Sequence, residues 1–127
     1  MSKWASKRNS STDGNTALHF ASFSGNAKII ELLVRAGADI QANNKHGLGM
    51  MHVAAQGNSA LSLTYFRQEG LSINGRDTKM STPLHHACYN GSVTALYYLL
   101  GWGCDIDAVD VNGNTGLHLC VMHSLSY

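Results

Sequence analysis

The chain has 127 residues, of which 44% are hydrophobic and 13% charged, and its net charge is +1. This length is enough for one compact unit with a buried core, and no apolar run approaches the roughly 18 residues of a membrane-spanning helix. A charge this close to neutral argues against a surface built on a basic excess, so we expect no nucleic-acid partner.

Residues 1–10, MSKWASKRNS, are polar and basic, and we interpret them as a lead-in that is either disordered or the remnant of a capping helix. From residue 11 onward the chain repeats with a period of 33 residues, which is clearest in four histidines: His19, His52, His85 and His118. Their surroundings are also alike: NTALHFA, LGMMHVA, STPLHHA and NTGLHLC. A period of this length predicts stacked repeats of one supersecondary unit.

Each unit is predicted to contain two helices followed by a hairpin. Thr82 and Pro83 suit the start of a first helix, and Gly25 and Gly91 suit the left-handed position that ends one. The second helices read AKIIELLVRAG, ALSLTYFRQEG and VTALYYLLGWG, and the hairpins read GADIQANN, GLSINGRD and GCDIDAVD. We expect buried stripes on the second helices, formed by Ile29, Ile30, Leu32 and Leu33 in the first unit and by Ala95, Leu96, Tyr98 and Leu99 in the third.

The second unit departs from this pattern. Gly49 stands where a capping threonine is expected, so its first helix is predicted to be weakly capped. Asn58 replaces the glycine of the inter-helix turn, one place after Gly57, and asparagine tolerates the left-handed region. Arg67 replaces an apolar residue of the second helix. We therefore expect the second unit to be the least stable.

The repeated segment, best preserved as TPLHHA, resembles the signature of the ankyrin-repeat family. The resemblance implies an all-α ankyrin-repeat solenoid of stacked helix-turn-helix pairs with β-hairpin loops. The domain would span residues 11–127, with repeats at 11–43, 44–76, 77–109 and a partial 110–127. A looser likeness, in GLGMMHVAAQG and GSVTALYYLLGWGCDIDAVD, connects the chain to the ankyrin arrays of DHHC-type palmitoyltransferases.

His85, His86 and Cys88 together suggest a zinc site or a nucleophile with its base, but a second ligand cluster is missing and the other repeats carry no ligand pattern at these positions. The resemblance implies that the recurrent histidines bond to local backbone and to the neighbouring hairpin. For His86 a groove position is favoured over a metal ligand, and for Cys88 a small core position is favoured over a nucleophile. We expect no enzyme activity, no cofactor and no metal.

Family resemblance places partner contacts on hairpin tips and on the exposed side of the first helices. Transferred to this chain, the candidate protein-binding residues are Phe23, Asn43, Lys45, His46, Leu48, Gln56, Arg76, Lys79, His86, Tyr89, Asn90, Val109 and Asn112. Phe23 and Tyr89 occupy equivalent positions two repeats apart, with Leu48 on a tip between them. They are either apolar anchors for a partner or side chains that pack within their own repeats.

Tyr97 and Trp102 define a second possibility on the outer helices, where they would contact another domain or a membrane surface, or pack locally. The fourth unit stops inside its first helix, so Leu99 and Leu100 are expected to be only partly covered. We therefore expect contact with the rest of a longer parent chain, or self-association through this incomplete repeat.

The sequence thus predicts a non-catalytic module that binds a protein or peptide partner, with no small-molecule substrate. The alternative is a regulatory or substrate-recruiting domain of a larger membrane enzyme such as a palmitoyltransferase. The three cysteines Cys88, Cys104 and Cys120 lack CxxC spacing and favour a reduced, cytoplasmic protein, free or tethered to a membrane through a longer chain.

Overall fold

The computed structural model describes residues 13–125, with side chains up to residue 122, and the predicted lead-in at residues 1–10 lies outside this range. The described residues form seven helices: α1 Ala17–Ser24, α2 Ala27–Arg35, α3 Met50–Gln56, α4 Ala60–Gln68, α5 Pro83–Asn90, α6 Val93–Gly101 and α7 Gly116–Leu125. The all-α prediction is confirmed. The hairpin loops consist of turns, and residues 13–125 contain no strand. In the same part of the chain no helix is long and apolar enough to cross a membrane.

The first helices begin and end where the sequence signals place them. The Thr16 and Thr82 hydroxyls accept hydrogen bonds from backbone N–H groups of the first turns of α1 and α5. Gly25 and Gly91 end these helices at φ 77° and 67°, in the region that only glycine adopts without strain. Gly49 provides no side-chain cap for α3, as expected.

The helices stack into two layers along the chain. The first helices α1, α3, α5 and α7 pack on one another in order, and the second helices α2, α4 and α6 pack in a parallel layer beside them. Residues in the same repeat phase fill the core between successive units, and the largest of them are buried almost completely: Leu18, Met51, Leu84, Ile30, Leu63, Phe66 and Leu99. Burying each large apolar side chain contributes about 1.5–3 kcal/mol, so this core stabilises the stack of repeats.

The predicted buried stripe of α2 is wrong at two positions. Ile30 is buried, but Ile29 and Leu32 are 46% and 53% exposed. The equivalents of Ile29 are covered by the preceding repeat: the Ser62 hydroxyl donates to the Ser22 carbonyl, and Ala95 lies next to the second repeat in the same way. In the first repeat no described residue of a preceding unit covers this position, so Ile29 faces solvent.

The fourth unit leaves a comparable edge. Leu117 is in phase with the buried core leucines but is 43% exposed, because no described helix pair follows it. Leu100 is exposed as expected, whereas the prediction that Leu99 is only partly covered is wrong, since it is fully buried. In the same helix Tyr98 is not part of a buried stripe and is partly exposed.

In the inter-helix turn of the second repeat, the irregular residues Gly57 and Asn58 both have a structural role. A Cβ atom at Gly57 would collide with the backbone carbonyl of Phe23 in the preceding repeat, so only glycine fits there. Asn58 takes the left-handed position at φ 55°, and its side-chain oxygen accepts a hydrogen bond from the Ala95 N–H at 2.9 Å. Ser92, the N-cap residue of α6, makes no side-chain cap bond, so Asn58 caps α6 from the neighbouring repeat.

Arg67, another irregular residue of the second repeat, packs against an aromatic ring of the next repeat. Its guanidinium carbon lies 4.7 Å from the centroid of the Trp102 ring, and Tyr98 meets the same ring edge-to-face at 5.7 Å. A cation over an aromatic face contributes about 0.5–1 kcal/mol at an exposed site. Arg67 therefore contributes to the joint between repeats two and three.

Candidate functional site

The recurrent histidines join each repeat to the next hairpin. His19 and His85 accept the N–H of their N-cap threonines at Nδ1, both at 3.1 Å, so each carries its hydrogen on Nε2. From there His19 donates to the Leu48 carbonyl and His85 to the Asn114 carbonyl, both at 2.8 Å. The implied structural role of these histidines is confirmed.

His52 forms the equivalent link in the second repeat, where its Nε2 lies near two carbonyl groups. Its Nδ1 accepts the Gly49 N–H at 3.1 Å, and its Nε2 lies 2.9 Å from the Gly75 carbonyl and 3.2 Å from the Ser81 carbonyl. Burial, together with the nearby His86, lowers the pKa of His52 to about 4. The ring is therefore neutral at pH 7 and acts as a fixed link between repeats.

The hairpin tips form a continuous row held by backbone hydrogen bonds. The Lys45 N–H donates to the Asp13 carbonyl at 2.7 Å, the Thr78 N–H to the His46 carbonyl at 3.0 Å, and the Val111 N–H to a carbonyl of the preceding tip at 3.0 Å. That last acceptor belongs to Lys79, which is exposed in the same way as Lys45 and His46. The tips therefore present their side chains in a fixed order, one repeat after another.

A cleft of about 430 Å³ opens beside this row, between α5 and α7. It brings together five of the sequence-predicted binding residues: Gln56, His86, Tyr89, Asn90 and Asn112. Its walls also contain residues that the prediction did not include, among them Asp110, Leu119 and Met122. Leu119 and Met122 belong to the partial repeat, and two apolar residues at i, i+3 spacing are the signal that could have identified them.

Tyr89 provides the largest accessible aromatic surface of this cleft and is 64% exposed. Phe23, its equivalent in the first repeat, is half-buried on α1 and does not line the same cleft. Of these two aromatic residues, Tyr89 lines the cleft and Phe23 does not.

His86 lines this cleft, in agreement with the predicted groove position, and its ring also belongs to an internal network. Its Nε2 lies 2.8 Å from Asp77 Oδ2, its Nδ1 lies 3.2 Å from Gln56 Nε2, and its ring meets that of His52 edge-to-face at 5.4 Å. Burial lowers the pKa of His86 although Asp77 raises it, so the neutral ring donates to the carboxylate. Burial also raises the pKa of Asp77, but hydrogen bonds from His86 and from the N–H groups of its own turn outweigh it and lower that pKa.

Leu48 is a correction to the predicted binding set, because it is buried and is no anchor at a tip. Its N–H donates to Asn44 Oδ1 at 2.9 Å and its carbonyl accepts from His19, so the backbone of the loop turns inward there. Leu48 thus serves the framework.

The remaining predicted residues lie near the tips but outside the cleft. Asn43 and Arg76 line a separate depression of about 240 Å³ between the first two hairpins. Arg76 also donates to the Val109 carbonyl at 2.8 Å, while the Val109 side chain is 44% exposed. The structure therefore arranges the set as one cleft with a row of tips beside it.

The cysteines show no sign of an activated nucleophile. Cys88 is buried, and burial together with the neighbouring Cys120 thiol raises its pKa well above the usual value. Burial likewise raises the pKa of Cys104. Among the described residues no group of three or more His, Cys, Asp or Glu side chains is arranged to hold a metal ion.

Tyr97 and Trp102 lie on the outer layer, away from this cleft. Tyr97 is 77% exposed and meets Tyr98 edge-to-face at 6.1 Å, while Trp102 is half-buried between Tyr98 and Arg67. Local packing, one of the two roles that the sequence left open for Tyr97 and Trp102, accounts for Trp102. Tyr97 is left facing outward.

The stacked helix pairs, the TPLH-type capping and the histidine links define an α-helical repeat protein of solenoid architecture. Two family models match the chain, "Ankyrin repeats (3 copies)" over residues 50–126 and "Ankyrin repeat" over residues 13–45. The chain therefore belongs to the ankyrin-repeat family. Ankyrin repeats indicate a protein–protein interaction module, and the family is typically non-catalytic.

Two kinds of relatives illustrate how far the similarity extends. The Notch-regulated ankyrin repeat-containing proteins of Xenopus tropicalis and Homo sapiens are each 44% identical over 45 residues, which cover 35% of this chain and 40% of theirs. Alpha-latrotoxin-Lg1a of Latrodectus geometricus is 34% identical over 88 residues, 68% of this chain and 6% of the toxin. The chain thus spans less than half the length of each of these relatives.

Proposed function

We propose that the chain is a non-catalytic module that holds a protein or peptide partner along its hairpin tips and in the cleft between α5 and α7. The observation that carries this proposal is the convergence of Gln56, Tyr89, Asn90 and Asn112 on one cleft. The 33-residue framework does not require these side chains, because their equivalents in other repeats are of different types.

The chemistry of the cleft suits a polypeptide. Tyr89 offers a large, rigid, amphipathic surface that loses little conformational entropy on binding, and Leu119 and Met122 add apolar wall. Asn112 is exposed and carries both donor and acceptor groups, which match the backbone amides of an extended segment. A cleft of this kind provides an aromatic anchor with a polar rim, as in protein interfaces.

The remaining groups support a role without catalysis. The recurrent histidines are used in links between repeats, and the Cys88 thiol is buried with a raised pKa, so neither offers a base or a nucleophile to a substrate. Cys88, Cys104 and Cys120 are all free thiols, which supports placing the module in the reducing cytoplasm.

The test is a peptide-display selection against the immobilised chain, followed by affinity measurements on two matched variants. Tyr89→Ala removes the aromatic side chain of the cleft, whereas Tyr97→Ala removes an equally large and more exposed tyrosine from the outer layer. We expect Tyr89→Ala to weaken the selected peptides by at least about tenfold and Tyr97→Ala to leave them unchanged. The reverse pattern would place the binding surface on the outer helices and refute the proposal.

A further inference from the structure

The tips of the first and second hairpins carry an excess of positive charge. Lys45 and His46 lie on one tip and Lys79 on the next, and all three are exposed. Arg76, also exposed, lies at the base of the second hairpin. The backbone bonds from Thr78 to His46 and onward along the row fix these cationic groups next to each other.

Carboxylates in the described part of the chain do little to neutralise this charge. Neither Lys45 nor Lys79 has a carboxylate oxygen within salt-bridge distance among residues 13–122. Asp13 Oδ1 lies 3.4 Å from His46 Nε2. Arg76 donates to the carbonyls of Met80 and Val109, and among residues 13–122 no carboxylate oxygen lies within salt-bridge distance of it.

The acidic side chains nearest to the tips face into their own turns. Asp77 Oδ1 accepts the N–H groups of Lys79 and Ser81, both at 2.9 Å, and its other oxygen holds His86. Asp110 Oδ1 accepts the N–H groups of the corresponding turn in the fourth repeat at 2.9 and 3.0 Å. These carboxylates therefore shape the hairpins while the lysines extend outward.

We propose that the partner is an acidic segment, an extended stretch of polypeptide whose Asp and Glu side chains meet Lys45, Lys79 and Arg76 while a neighbouring residue enters the cleft beside Tyr89. This inference rests on the proposed function and names the chemistry of its partner. Exposed charges of this kind raise the rate of association and define register, so binding weakens as ionic strength increases. A nucleic acid is a poorer match because the row carries few cationic groups and the whole chain has a net charge of only +1.

The same display selection tests the inference through the composition of the peptides and through charge reversal. We expect the selected peptides to be enriched in Asp and Glu, and the double variant Lys45→Glu/Lys79→Glu to bind them about tenfold or more weakly. Lys28→Glu is the matched control, because it reverses an exposed lysine on α2, far along the chain from the tips, and is expected to leave the affinity unchanged. High salt should reduce affinity for the wild-type chain and have less effect on the double variant.

The possible outcomes separate this inference from the function beneath it. Neutral or basic peptides that lose binding in Tyr89→Ala but keep it in Lys45→Glu/Lys79→Glu would overturn the acidic partner and leave the cleft proposal standing. Peptides indifferent to both changes, or a selection that yields no binder, would contradict both. A short single-stranded DNA that displaces the acidic peptides at equal concentration would show general polyanion binding and also overturn the inference.

Discussion

Replacing His85 by alanine, with His118→Ala as its matched control, measures what one link between repeats contributes. Both histidines occupy the same place in the motif, and both accept the N–H of the preceding threonine at Nδ1, at 3.1 and 3.2 Å. Only His85 reaches a following hairpin, at the Asn114 carbonyl. His85 is buried, whereas His118 is exposed.

The expected loss follows from what each substitution leaves behind. In His85→Ala the buried Thr82 N–H loses its acceptor, at a cost of about 1–3 kcal/mol, and the space of the ring adds about 1 kcal/mol. The Asn114 carbonyl is half-buried, so water can restore part of its hydrogen bonding. We therefore expect a decrease of about 2–4 kcal/mol in the free energy of unfolding, against about 0.5 kcal/mol or less for the exposed His118.

Urea unfolding followed by far-ultraviolet circular dichroism gives the two free energies, and amide hydrogen exchange locates the effect. The N–H groups of α7 and of the turn at residues 110–114 should lose protection in His85→Ala, because that link joins the fourth unit to the array. Equal destabilisation by the two substitutions would refute the reasoning. So would a His85→Ala protein in which α7 exchanges as slowly as in the wild type.

Three further outcomes are expected. Folding lowers the pKa of His52 from 6.5 to about 4, so between these pH values the unfolded chain binds a proton that the folded chain does not. The free energy of unfolding should therefore fall by about 2 kcal/mol from pH 7 to pH 5. A urea midpoint that stays constant over this range would contradict the prediction. Gly57→Ala should destabilise the protein by more than about 2 kcal/mol, because the new Cβ atom would collide with the backbone of Phe23. Gly101→Ala, in a helix and with open space around it, should stabilise the protein by about 0.5–1 kcal/mol, and thermal unfolding measures both. Asn58→Gly should destabilise by about 0.5–2 kcal/mol despite relieving a left-handed backbone, because Ala95 loses its cap, and a higher melting temperature would disprove that role.

The features that sequence predicted correctly are local ones. Capping by Thr82 and the left-handed turns at Gly25 and Gly91 depend on backbone conformation within a few residues, and the 33-residue period repeats the evidence for them. The histidine links were implied by family resemblance only, because an amino-acid sequence alone does not show the hydrogen-bond partners of a ring nitrogen. The fold class could therefore be predicted from the sequence.

Exposure was harder to predict because it depends on what covers a residue in the neighbouring unit. Ile29 and Leu117 have the residue type and phase of core positions, yet both lie at an edge of the described array. Burial of His86 depends on Asp77 and Gln56, and no other repeat has a histidine at that position that could have revealed the network. Candidate binding residues were accordingly predicted as a set, and the structure was needed to separate those in the cleft from those, like Leu48, that belong to the framework.

The histidine links also set how the length of such a chain can change. Each joins a ring to a carbonyl 29 residues further on: His19 to Leu48, His52 to Ser81 and His85 to Asn114. Deleting one residue between a histidine and its acceptor would move the carbonyl out of reach, whereas removing 33 residues would join equivalent points and preserve every remaining link. Insertions and deletions in this chain should therefore be tolerated as whole units, so that the array grows or shrinks by one repeat at a time.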